Sequence, residues 1–193
     1  MVLLTLALGS SVGSSVARAA DSCTDLRLQP RAAVLTGYVC SELSEGLSLC
    51  TACGSRPVRV TEPAEWGMDV ASLSGFVSAS AQAALSAERP IRQEIADMPG
   101  AAYWVSQVGD GYDAAGLLHP ERLSEIAGTT PVIGVPAVGT FLMWIPGDAE
   151  TDKVMAVGVR RIFESAEYPV SDKIYRWHNG AWRVWGEATP SGG

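Results

Sequence analysis

Positive charge is scarce in this chain. Its 193 residues hold 14 Lys and Arg against 21 Asp and Glu, a formal net charge of −7. Phosphate binding needs a concentrated basic surface, so this balance speaks against nucleic acid as a partner and against docking on anionic lipid. Lysine is rarest of all, with Lys153 and Lys173 alone among many arginines, which we read as a composition bias of the genome. Histidine occurs only at His119 and His178, neither with a Cys, Asp or Glu at metal-ligand spacing. The first is expected at a helix start and the second beside a hairpin tip, as capping or surface residues. No Gly-x-Ser-x-Gly elbow anchors a hydrolase triad. Gly-rich phosphate loops are missing too, because Gly109-Asp110-Gly111 places a carboxylate where an anion would be repelled. Repeats, heptads and low-complexity tracts are absent, and no catalytic group, metal or cofactor is expected.

What the chain does have is apolar substance. Hydrophobic residues make up 47 % and charged residues 18 %, an ordinary globular balance for one domain with a sizeable core. Residues 2–8 are an apolar run, 9–15 are small and polar, and Ala17-Arg18-Ala19 offers an A-x-A cleavage site. This predicts a secretory signal over residues 1–19, although no basic residue precedes the apolar run. A single domain over 20–188 and a loose tail over 189–193 follow. No stretch reaches the roughly 20 apolar residues of a membrane span, so a periplasmic or secreted protein is expected.

Four cysteines remain after such a cleavage: Cys23, Cys40, Cys50 and Cys53. An even number in an exported chain points to disulfides, with three pairings open. Cys50-Thr51-Ala52-Cys53 also has the Cys-x-x-Cys spacing of redox and zinc sites. A thioredoxin-type site needs its first Cys at a helix N-terminus, whereas Gly54-Ser55-Arg56-Pro57 supplies turn chemistry here. A zinc site would need a second pair of similar spacing, and Cys23 and Cys40 lie far apart.

The pattern along the chain predicts strands over 33–40, 47–53 and 58–60, joined by loops, after a polar lead-in over 21–31. Asp69 is an N-cap for a helix whose apolar face comprises Val70, Leu73, Phe76, Val77, Ala81, Ala84 and Leu85. Residues 88–97 are charged and broken by Pro90. A strand is expected over 101–108, a turn at 109–111, and a short helix from His119-Pro120 to Ile126. Two paired strands, 131–135 and 139–144, are separated by Pro136. Asp148 caps a helix to about residue 164 with Val154, Gly158 and Ile162 along one stripe. The clearest local signal is Asn179-Gly180, the tip of a hairpin over 173–184. A two-residue turn sets Trp177 opposite Trp182 and Arg176 opposite Arg183, with Tyr175 and Val184 on the face of the tryptophans, which should pack on the core. Strands and helices alternate without a regular βαβ rhythm, so the fold class is α+β: a mostly antiparallel sheet, two to three helices and a C-terminal hairpin.

Two polar groupings stand out. Asp110, Tyr112 and Asp113 share the 109–113 turn, where two carboxylates suit either capping or a polar site. Arg176 and Arg183 face each other, an arrangement that favours an anionic neighbour. Arg160 and Arg161, on the preceding helix, are expected nearby. Solvated arginines are the plainer reading.

From about residue 59 to 185 the chain resembles the YtpQ-like family of uncharacterised bacterial proteins. The resemblance is carried by GDGYDAAGLLHPERLSEI, PVIGVPAVGTFLMW, YPVSDKIYRWHNGAW and, upstream, EWGMDVASLSGFVSASAQAAL. It implies the same order of elements and brings no activity, since the family has none established. The chain departs from that pattern by its export signal, its Cys40 to Cys53 segment and its lack of the long N-terminal part. The expectation is a non-catalytic interaction protein of the cell envelope with a protein partner, immunity-like in its concrete form. The competing one is a thiol–disulfide or metal-dependent enzyme at Cys50 and Cys53.

Overall fold

The computed structural model describes residues 23, 25–86 and 90–185. The expected signal and tail lie outside them. Two antiparallel sheets and the helices around them make an α+β fold. The first sheet holds β1 (Leu26–Arg31), β2 (Cys40–Ser44), β3 (Leu47–Cys53) and the short β4 (Arg56–Pro57), ordered β1-β3-β2 with β4 also against β3. Then come α1 (Glu62–Glu65), α2 (Val70–Ser86), β5 (Ile91–Glu94), β6 (Ala102–Ser106), a 3-10 turn (Ala115–Leu118) and α3 (Pro120–Ala127). The chain closes with β7 (Val132–Ala137), β8 (Thr140–Trp144), α4 (Ala149–Ser165), β9 (Ile174–His178) and β10 (Ala181–Val184). The second sheet runs β10-β9-β7-β8-β6-β5.

The N-terminal part departs from expectation. The lead-in is strand β1, because Arg27, Gln29 and Arg31 alternate with Leu26, Leu28 and Pro30 at period two. Its polar half hides its apolar half when the segment is read by composition. The apolar stretch 33–40 is not a strand. Gly37 is left-handed at φ 84°, Tyr38 makes an isolated bridge with Arg59, and Val39 N donates to Val58 O at 2.8 Å. The polar β2, which starts at Cys40, replaces it, and the stretch expected over 58–60 contributes that bridge and single backbone hydrogen bonds rather than a ladder. β2 is a strand because β3, buried on both faces, offers it a ladder. Strand β5 lies within the charged 88–97 stretch. All four of its residues are exposed, so no apolar alternation marks it.

The second sheet is apolar on both faces. One face sets Ile133, Phe141, Met143, Tyr175 and Trp182 in a single core with Leu28, Leu49, Leu73 and Val77. The other sets Val132, Leu142 and Trp144 under Met155 and Val159 of α4. The turn between β7 and β8 falls at Gly139, φ 78°, and not at Pro136. Pro136 lies inside β7, where a register shift between Gly134 and Ala137 takes it out of the ladder. The buried stripe of α4 is Thr151, Met155 and Val159, one residue on from the expected one, and Val154 is 41 % exposed. Helix α4 lies close to the sheet because Gly134 leaves room: a Cβ there would stand 2.6 Å from Val159 Cγ2. Helix α2 buries Leu73, Val77, Ala81 and Leu85, while Val70 and Phe76, expected inside, face solvent.

Asp69 and Asp148 cap as expected, Asp69 Oδ1 accepting from Ser72 N at 2.7 Å and Asp148 Oδ2 from Thr151 N at 2.8 Å. The hairpin register also holds, with Trp177 opposite Trp182 and Arg176 opposite Arg183. Asn179 and Gly180 are both left-handed, at φ 50° and 77°, as a primed turn requires. The two indoles meet edge to face, centroids 5.4 Å apart.

Candidate functional site

The four cysteines form two disulfides, Cys23–Cys53 and Cys40–Cys50. Cys40 and Cys50 are direct cross-strand partners on β2 and β3. Cys53, at the end of β3, ties down the chain before β1. Each cysteine of the Cys-x-x-Cys motif is therefore bonded outside the motif. An extended strand explains this: residues i and i+3 of a strand point to opposite faces, so their sulfurs cannot meet. No described cysteine is a free thiol.

The 109–113 turn is built from its own carboxylates. Asp113 is 4 % exposed. Its Oδ1 accepts from Ser106 Oγ at 2.9 Å and Val108 N at 2.7 Å, and its Oδ2 from Gly109 N at 2.8 Å. Asp110 Oδ1 accepts from Tyr112 N at 3.0 Å, closing an Asx turn. The loop then clasps the first sheet. Leu28 N donates to Gly111 O at 2.9 Å and Tyr112 OH donates to Leu26 O at 3.1 Å. Gly111 is left-handed at φ 82°, and a Cβ on it would fall 2.5 Å from Arg27 Cγ. A cleft of about 180 Å³ lies here, between Arg27, Gln29, Gly109, Gly111, Asp113 and Gly139. Arg27 at its rim pairs with Asp25 at 2.7 Å, and that guanidinium holds the Asp25 carboxyl below its ordinary value. Both carboxylates of the turn are thus occupied in shaping the loop, and the cleft has no nucleophile beside a base.

The arginines are brought onto one side of the molecule. Arg176 pairs with Val132 across β9 and β7, and directly opposed residues share a face. Val132 packs under α4, so Arg176 and Arg183 lie on the side that α4 covers. Arg160 of α4 reaches toward Asp172, just before β9, at 3.7 Å. Arg160, Arg161 and Arg183 are exposed and Arg176 is half-buried. Val154 and Val157, also on α4, are exposed.

The histidines are structural in position. His119 donates from Nε2 to Ser78 O at 3.1 Å, joining α3 to α2, and His178 stands exposed beside the hairpin tip. Four of the six tryptophans, Trp66, Trp104, Trp144 and Trp182, are buried, Trp182 on the hairpin face expected to meet the core. Sequence reasoning also missed the tie between the sheets at Tyr175. Its OH donates to Glu45 O at 3.1 Å and accepts from Ser171 Oγ at 2.7 Å. Only the Tyr175 position, on the inward face of the hairpin, was legible. Comparison with known protein families, with curated proteins and with solved structures finds no match for this chain.

Proposed function

We propose that this chain is exported to the cell envelope and acts there as a non-catalytic interaction protein, with immunity-like masking of a toxin as its concrete form. The observation that supports this most is the separate bonding of Cys50 and Cys53. A dithiol enzyme needs both sulfurs of its motif to meet, and a metal site needs them free. The side carrying Arg160, Arg161, Arg176 and Arg183 is the docking surface in this reading. Arginine beside exposed valine is suited to an acidic partner with an apolar centre. The likeness to the YtpQ-like family belongs to the same proposal and adds no activity to it.

The test is made on cells expressing the full chain. Fractionation should find the protein outside the cytoplasm, beginning at residue 20, with no thiol reactive after denaturation. An intact cytoplasmic product with four reactive thiols would end this reading.

A further inference from the structure

We infer that a second copy of this chain docks along β5, and that the register of the pairing is set by Arg92 and Glu94. The proposal goes beyond the reading above and does not depend on export or on the arginine surface. It starts from the edge of the second sheet. The strand order ends at β5, and among the described residues no strand lies beyond it. At the opposite end, β10 lies beside β2 of the first sheet, so that edge is covered. Strand β5 has no proline within it and no bulge against β6, and Ile91 is 55 % exposed. Such an edge is open to strand addition.

The ladder shows which groups face outward. Ile95 N donates to Ala101 O at 3.0 Å, so position 95 is hydrogen-bonded toward β6. Antiparallel bonding alternates at every second residue. Gln93 and Ile91 therefore bond inward with Tyr103 and Val105, their register partners. The backbone N–H and C=O groups of Arg92 and Glu94 then point to the open edge.

Two copies related by a twofold axis pair antiparallel. With the axis at Gln93, Arg92 lies opposite Glu94 of the second copy, and the outward groups of both form four backbone hydrogen bonds. The same register sets each arginine against a carboxylate and Ile91 against Ile95 of the second copy. An axis at Arg92 would oppose two arginines, and one at Glu94 two carboxylates, which destabilises both alternatives. Within one chain Arg92 Nη1 and Glu94 Oε1 are already 3.7 Å apart, with side chains 52 % and 76 % exposed. Both are free to exchange partners without disturbing the core. Charge on an edge usually prevents self-pairing, but one charge of each sign two residues apart is complementary to its own reversed copy.

The test is sedimentation equilibrium of the oxidised full chain over about 1 µM to 1 mM. The wild type should self-associate. Arg92→Glu alone and Glu94→Arg alone should each weaken association by about tenfold or more, since two opposed pairs become repulsive. An equimolar mixture of the two variants should restore it, because each then offers the charge the other lacks. The doubly exchanged protein should associate as the wild type does. A wild type that stays monomeric throughout, association unchanged by either single reversal, or a mixture that fails to recover would each overturn the proposal. Circular dichroism of the variants verifies that these surface changes leave the fold intact.

Discussion

Tyr175 shows how much a single side chain carries here. It is fully buried, and its hydroxyl joins the hairpin of the second sheet to the β2–β3 turn of the first through Glu45 O. Burial holds its phenol above the ordinary value of 10.0, with the Ser171 hydrogen bond acting the other way. A raised folded-state value means that the neutral phenol's contribution is complete below about pH 10 and is lost as pH rises past the folded value. Thermal melts between roughly pH 8 and pH 11 should thus show an alkaline loss of stability that Tyr175→Phe reduces. At neutral pH the same variant should be less stable by about 1–3 kcal/mol, because Glu45 O and Ser171 Oγ lose their partner. Parallel alkaline slopes for wild type and variant would contradict this. Asp113 belongs to the same class of residue. A carboxylate within a Gly-Tyr-Asp turn resembles a ligand in sequence, yet three donors within hydrogen-bond distance make it the frame of the loop.

At the scale of elements, α2 and α4 are legible from their caps and α2 also from most of its apolar face, whereas the buried face of α4 is not. Asp69 and Asp148 begin α2 and α4 as their side-chain chemistry requires, and both carboxyls are held below 3.8, by Ser72 N and by the Thr151 hydroxyl respectively. The burial of α4 runs through Thr151 rather than Val154, a choice that side-chain apolarity alone does not show. Helix orientation follows from the sheet beneath, where Gly134 admits Val159. Two glycines therefore have opposite roles. Gly75, inside α2, has nothing within 4 Å of an added Cβ, so Gly75→Ala should stabilise the protein by about 0.5–1 kcal/mol. Gly134→Ala should destabilise it by about 1–3 kcal/mol, since the helix must lift or Val159 must leave its rotamer. Urea unfolding of the two variants provides the comparison, and equal shifts would refute this account of the α4 packing.

For the whole molecule, the disulfides bind the part with the poorest local signals. β1, β2 and β4 are short or half polar, and their strand character comes from pairing with the buried β3. Cys23–Cys53 spans 30 positions and Cys40–Cys50 spans 10. Chain entropy alone assigns these loops about 3.5 and about 2.7 kcal/mol, less in combination because one loop is nested within the other. Replacing Cys40 and Cys50 together by alanine should accordingly cost about 2–3 kcal/mol in equilibrium unfolding, and a reductant should have a larger effect on the wild type than on that variant. No change on reduction would mean that packing alone holds the first sheet.

The sequence by itself determined the class of fold, the two helix caps, the Asn179-Gly180 turn with its register, and the placing of Tyr175 on an inward face. Each of these depends on residues close together in the chain, whose backbone preferences act locally. Tertiary structure decided the rest. It selected one of three cysteine pairings, made strands of β1, β2 and β5, and buried Trp66, Trp104 and Trp144. Those outcomes depend on which distant segment lies alongside. A strand such as β2 forms because β3 presents unpaired backbone groups to it.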